Sequence, residues 1–218
     1  MQRVPEPELM DDAEQARVYA DADFEQPHAL FVELLQEKLL GLPPTGRALD
    51  LGCGPGDISF RVARACEGWH IDAVDASLAM LSLARERAER DVARDRLRFA
   101  YARLPDDAPP GGSYGLIFSN SLLHHLPEPE ILWSSVKRFS APGGRVFVMD
   151  LMRPESEGEV EALVERYAAG EPELLRRDFR ASLFAAYRTD EITRQLEKAG
   201  LEGLRVETAS DRHWLAWG

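Results

Sequence analysis

Residues 49–57 read Leu-Asp-Leu-Gly-Cys-Gly-Pro-Gly-Asp, and few folds accommodate such a stretch. A short apolar run, Ala48–Leu51, enters a loop carrying Gly52, Gly54 and Gly56. Ile58, Val62, Ala65 and Cys66 then recur at helical spacing, so the unit predicts a strand, a glycine turn and a helix. Glycines let the backbone turn sharply and let a ligand approach where a Cβ would collide. The start of the helix offers unpaired N–H groups to something polar or anionic. A phosphate-binding Walker loop would end in Gly-Lys-Ser/Thr, which is absent. The dinucleotide pattern G-x-G-x-x-G is also missed, because this loop reads G-x-G-x-G.

His70–Val74 predicts a second strand, ending in Asp75, 23 residues beyond Gly52. That is the βαβ spacing at which an acid meets a ribose. A carboxylate there accepts hydrogen bonds from both ribose hydroxyls, and such charge-assisted bonds exceed neutral ones. Capping of the next helix falls more naturally to Ser77.

The nonamer, Asp75 and the later run Ser119-Asn120-Ser121-Leu122-Leu123-His124-His125-Leu126-Pro127 together resemble the class I S-adenosylmethionine (SAM)-dependent methyltransferases, the small-molecule type. The resemblance covers residues 46–218. It implies a Rossmann-like, doubly wound α/β fold with a seven-stranded sheet, the last strand antiparallel. It implies SAM as cofactor, with Asp50 on the ammonium of its tail and Gly52, Cys53, Gly54 and Gly56 forming the loop beside it. Asp75 and Ala76 fall at the ribose. Met80 covers the adenine or packs in the core. Arg103, Leu104, Asn120, Ser121 and His125 complete the expected cofactor site, with Tyr19 reaching in from the N-terminal helices. The chain departs from the family after the third strand, Leu97–Tyr101. Where relatives place an acid for the adenine amino group, it has Ala102-Arg103.

One domain is expected over 1–218. Residues 1–45 form N-terminal helices, either a packed layer or a lid with Tyr19 and Phe24 as its contacts. Residues 46–151 are the SAM-binding core, 152–188 a helical cap insertion, and 189–218 the last helix and strands. In the N-terminal part Leu30, Phe31, Leu34, Leu35 and Leu39 form one stripe, and in the core Leu78, Leu81, Ala84 and Ala88 another. Strands are expected at 115–119, 145–151, 204–208 and 214–217.

The acceptor expected is a small molecule. Net charge is −12, from 26 basic against 38 acidic residues, which disfavours nucleic acid. No run of about 18 apolar residues predicts a membrane span, and the polar N-terminus lacks a signal peptide's apolar core. Two cysteines, Cys53 and Cys66, cannot staple the fold, so a cytoplasmic setting is expected.

Methyl transfer from a sulfonium is chiefly a task of alignment. A base is needed only when the nucleophile arrives protonated. His124, His125, Tyr187 and His213 are the catalytic candidates, with Asp211 beside them. Wall or structural duty ranks above base catalysis for the two adjacent histidines, of which at most one is expected to face ligand. Arg153, Arg180 and Arg212 either grip an acidic substrate or lie on the surface. His28 and His70 read as surface or packing residues, and no metal site is expected. Two other functions remain open: modification of SAM itself or of tRNA on the same fold, and a non-catalytic SAM-binding partner or sensor.

Overall fold

The computed structural model describes residues 1–6 and 11–218. Its centre is a seven-stranded sheet: β1 (Gly46–Leu51), β2 (Trp69–Asp75), β3 (Leu97–Tyr101), β4 (Tyr114–Asn120), β5 (Ser140–Leu151), β6 (Arg205–Thr208) and β7 (His213–Trp217). The spatial order is β3-β2-β1-β4-β5-β7-β6. The first five strands pair in parallel, and β7 runs antiparallel to both its neighbours. The order reverses between β1 and β4, and a crevice opens at the carboxyl ends of such strands.

The strand sequences suit this position. Ala48 to Leu51 are all buried, as are Leu116 to Ser119, matching strands covered on both faces. One face packs Leu132, Trp133, Val136 and Phe139 of α5 (Glu130–Phe139) and Ile192 and Leu196 of α8 (Thr189–Ala199). The other packs Phe31 and Leu35 of α2 (Glu25–Lys38) and Ile58 and Val62 of α3 (Asp57–Ala65). At about 25 cal/mol per Å² of buried apolar surface, these two layers carry the main driving force for folding. α8 stops at Gly200, which takes a left-handed φ of +68°.

The expected strands and helices are all present, with their ends shifted by a few residues. The largest extension is at β5, which begins at Ser140 because Ser140 pairs with Tyr114 across an irregularity in register. On α4 (Leu78–Ala88) the predicted stripe is partly wrong: Leu81 and Ala84 are buried, but Leu78 is 60% exposed. Leu78 opens the helix, where Ser77 accepts the N–H of Met80 as N-cap, and it points away from the sheet.

Two further layers sit at the crevice. The insertion forms α6 (Glu157–Ala168) and α7 (Glu173–Ala185), joined by their own cluster of Val160, Leu163, Val164, Leu183 and Ala186. The N-terminal α1 (Ala13–Asp21) packs between α4 and α7. Gln15 donates to Asp178 of α7 at 2.7 Å, and Arg87 of α4 donates to the carbonyl of Ala20. Among the described residues, no helix is long and apolar enough to cross a membrane.

Candidate active site

Two cavities meet beneath α1. The first, about 490 Å³, lies over the carboxyl ends of β1 and β2. The second, about 420 Å³, lies between β5, α2 and the α6–α7 pair. Both volumes suit small ligands. Tyr19, Phe24, His28, Asn120, Ser121 and His125 line both and form the passage between them.

The glycine turn shapes the floor of the first cavity. Gly54 has φ +52°, and a Cβ built there meets no atom within 4 Å. It points into open space, so the backbone is bare where a ligand would lie. Gly56 is different and corrects the sequence reading, for it does not line the cavity. It has φ +87° at the N-cap of α3, and a Cβ there would meet Phe60 and Phe99 at 3.0 Å. Its role is close packing of loop, helix and strand. Of the cofactor-site residues named from sequence, Tyr19, Asp50, Gly52, Cys53, Gly54, Asp75, Ala76, Met80, Arg103, Leu104, Asn120, Ser121 and His125 all line the first cavity.

Asp75 ends β2 with both oxygens anchored. Oδ2 accepts the N–H of Gly54 and Oδ1 that of Ser77, each at 2.8 Å. Burial pushes its pKa up, against the pull of these backbone bonds. Asp50, 1% exposed, accepts the Ser59 hydroxyl at 2.5 Å. Burial raises its pKa to about 7; the Ser59 bond opposes this and the Asp75 charge adds to it. Among the described residues no cation pairs with this buried carboxylate, so it is poised to receive one. Asn120 Oδ1 is likewise buried without a hydrogen-bond partner among the described residues. Next to it Ser121 holds φ +54°, an unusual conformation for a non-glycine residue, and both residues line the passage. An unpaired acceptor, a buried acid and a bare glycine backbone fit a ligand with a cationic tail and a ribose.

The wall of the second cavity is largely apolar and aromatic, with Tyr19, Phe24, Tyr167, Leu175 and Phe179. Its charged residues are mostly acidic: Asp23, Glu25, Glu171 and Asp178. Arg212 is the only Arg or Lys among its described lining residues. That guanidinium lies 3.4 Å from the Tyr167 ring centroid and donates to Asp211 at 2.9 Å.

The histidines come out differently from expectation. His124 and His125 share a tight 3₁₀ turn, their rings 4.1 Å apart, and both line the second cavity, where the sequence reading expected at most one to face ligand. His124 Nδ1 lies 2.5 Å from Asp150 Oδ1. Burial lowers the pKa of His124, but the Asp150 and Glu6 charges outweigh it and leave it raised. His213 also lines the second cavity. Burial, helped by Arg212, lowers its pKa to about 4, so it is neutral at pH 7, with Nδ1 2.8 Å from Ser210 Oγ. Tyr187 lines neither cavity. It is 8% exposed in the core beneath Arg3, whose guanidinium sits 4.2 Å from its ring. Asp211 is held by Tyr167, Arg166 and Arg212. Arg153 is buried and committed to Glu191 and two carbonyls, and Arg180 pairs with Glu161 on the surface.

His28 is the residue that sequence reasoning missed. It is buried, lines both cavities, and its Nδ1 lies 2.5 Å from Asp57 Oδ2. Burial raises the pKa of Asp57, but His28 and Arg61 outweigh it and hold the carboxyl at about 2. His28 and Asp57 come from the starts of α2 and α3, a pairing no local pattern reveals.

Comparison with known proteins agrees with this geometry. Residues 49–146 match the model of a methyltransferase domain. The chain is similar to the 27-O-demethylrifamycin SV methyltransferase of Amycolatopsis mediterranei, 28% identical over 84% of this chain and 65% of that protein. It spans under half the length of the next curated relatives it matches. Among solved structures, a SAM-dependent methyltransferase from Aquifex aeolicus aligns with TM-score 0.68 and 17% identity, covering 93% of this chain and 96% of that one. The Haemonchus contortus phosphoethanolamine N-methyltransferase 2 in complex with S-adenosyl-L-methionine aligns with TM-score 0.61 and 21% identity, covering 81% of this chain and 37% of that one. At these identities the solved structures show the shared fold.

Proposed function

We propose that the chain is a class I SAM-dependent methyltransferase that moves the methyl group of SAM to a small-molecule acceptor held in the second cavity, a reading supported by the methyltransferase-domain match over residues 49–146. One observation carries the reading: the two cavities adjoin at a passage walled by residues common to both, among them Tyr19, Phe24, His28, Asn120, Ser121 and His125. SAM supplies a methyl group activated by its sulfonium.

The chain's own residues do the positioning. Asp50 and Asn120 Oδ1 take the ammonium of the tail, and Asp75 takes the ribose hydroxyls. Gly54 lets the backbone approach, and Met80, Arg103 and Leu104 enclose the adenine end. With SAM bound, the residues of the passage would bring an acceptor atom toward the methyl group, and Tyr19 and Phe24 would keep water out. Their rings pack at 4.8 Å between centroids. Strong stabilisation of the sulfonium itself would oppose transfer, so the catalytic gain comes from orientation, which supplies roughly 7–11 kcal/mol in favourable cases. Where the acceptor arrives protonated, the imidazoles at the second cavity's wall, His28, His124, His125 and His213, are the groups within reach of it. Tyr187 is not among them.

In this reading residues 1–45 act as a lid on the 46–151 core, residues 152–188 as the acceptor-side cap, and residues 189–218 complete the sheet. The lid role is supported by α1, which bonds to the core through Arg87 and to the cap through Gln15. The cavity's chemistry favours an apolar or aromatic acceptor that is neutral or cationic. Its acids outnumber Arg212, the one arginine among its described lining residues, which is already paired with Asp211. Two free cysteines suit a reducing cytoplasm.

The test is incubation with methyl-labelled SAM and a pool of small hydroxyl- and amine-bearing aromatic compounds. Label transfer that disappears in Asp75→Asn supports the reading. Tight SAM binding with no transfer to any compound favours the sensor, and a modified SAM recovered from the protein favours cofactor modification.

A further inference from the structure

Glu6 lies outside every sequence motif, yet the fold carries it to the paired histidines. Its Oε1 is 3.4 Å from His124 Nε2 and 3.2 Å from His125 Nδ1. The Glu6 side chain is 8% exposed, and Oε1 has no hydrogen-bond partner among the described residues, despite both neighbours. Its other oxygen accepts from Ser182 at 3.3 Å. On the far side of the His124 ring, Asp150 accepts from the N–H groups of Leu123 and Leu151 and sits 2.5 Å from Nδ1.

Glu6 Oε1 therefore faces two imidazole nitrogens, Nε2 of His124 and Nδ1 of His125, with a hydrogen bond to neither. We infer that Glu6, His124 and His125 bind one divalent cation of the zinc class at the wall of the acceptor cavity.

The dimensions agree. Zinc lies about 2.0–2.1 Å from imidazole nitrogen and about 2.0–2.2 Å from carboxylate oxygen, so tetrahedral ligand atoms sit roughly 3.3–3.5 Å apart. The two carboxylate–imidazole separations are 3.2 and 3.4 Å, close to that spacing, and the two imidazole nitrogens lie within 4.8 Å of each other. Two imidazoles with one carboxylate select zinc, cobalt or nickel over magnesium or calcium. A carboxylate behind the ligand histidine, here Asp150, is the usual support for such a site. Three protein ligands leave a fourth position open. His124, His125 and Ser182 line the second cavity, so that position faces it and accepts water or an acceptor oxygen. Metal binding stands by itself; its relation to the acceptor rests on the proposed function.

The experiment starts from chelator-treated full-length protein, titrated with Co²⁺ by visible absorption and with Zn²⁺ by calorimetry. The expected result is one equivalent bound, with the absorption of a four-coordinate nitrogen–oxygen site. Glu6→Gln lowers affinity more than tenfold while leaving the circular dichroism of the metal-free protein unchanged. Asp150→Asn lowers it about 10–100-fold. Failure of either metal to bind stoichiometrically overturns the inference, leaving a protonated histidine–Glu6 pair. Unchanged affinity in Glu6→Gln overturns it too, because the metal then sits elsewhere. S-adenosylhomocysteine binding is measured on the same samples. Its loss alongside intact cobalt binding sinks the proposed function and leaves the metal site standing.

Discussion

Asp75 Oδ2 accepts the backbone N–H of Gly54 at 2.8 Å, tying the end of β2 to the glycine loop after β1. One carboxylate thereby fixes the loop that approaches the cofactor tail and presents its remaining lone pairs to the ribose. Asp75→Asn is expected to weaken S-adenosylhomocysteine binding about 10–100-fold, the scale of one or two hydrogen bonds to a charged group. Isothermal calorimetry checks this, and an unchanged affinity removes Asp75 from the site.

The glycines separate binding from folding. Gly54→Ala forces a left-handed alanine into open space, costing about 1–2 kcal/mol, yet places a methyl group where the ligand lies. Gly56→Ala adds overpacking against Phe60 and Phe99, for a total of about 2–5 kcal/mol. Denaturant melts are expected to rank Gly56→Ala as the less stable, while Gly54→Ala loses more than tenfold in ligand affinity. The reverse order would place the cavity floor elsewhere.

Asp50 makes ligand affinity depend on pH. Its folded pKa, about 7, stands above the ordinary 3.8, so the folded protein holds a proton that the unfolded chain releases between those values. Asp50's contribution to stability is therefore full below about pH 4 and is lost as pH rises through about 7. An ammonium bound beside it favours the ionised form and expels the proton. Affinity for S-adenosylhomocysteine should rise up to tenfold per unit from pH 5.5 to 7 and level off above that. Asp50→Asn should bind weakly with a flat profile. A flat profile in the unaltered protein would show that the tail's cation lies elsewhere.

Cutting the tie between α1 and the core should open the site. Arg87→Ala removes the bond to the Ala20 carbonyl. Hydrogen exchange should quicken in residues 13–21 and remain unchanged in β1 and β4, with ligand affinity reduced. Equal protection of α1 in both proteins would count against the lid.

The core was legible because its signals are local. Gly52–Gly56 sit within one turn, and Asp75 follows at a fixed βαβ spacing, so motif and geometry coincide. The same locality misled at Gly56 and Leu78, whose contacts are set by Phe60 and Phe99 and by how α4 lies on the sheet. Tyr187 carried the right chemistry at the wrong depth. His28 with Asp57 and Glu6 with His124 are encounters between segments 29 and 118 residues apart. Such pairs arise from tertiary packing, and no spacing rule in a single sequence points to them.

The most direct measurement is the melting temperature of the protein with S-adenosylhomocysteine at 100 times its dissociation constant. Ligand linkage then adds about 2.7 kcal/mol, which for a chain of this size raises the midpoint by roughly 5–11 °C. Asp75→Asn at the same ligand concentration should show a rise several degrees smaller. No rise at any concentration in the unaltered protein would contradict the assignment of the glycine-loop cavity to SAM.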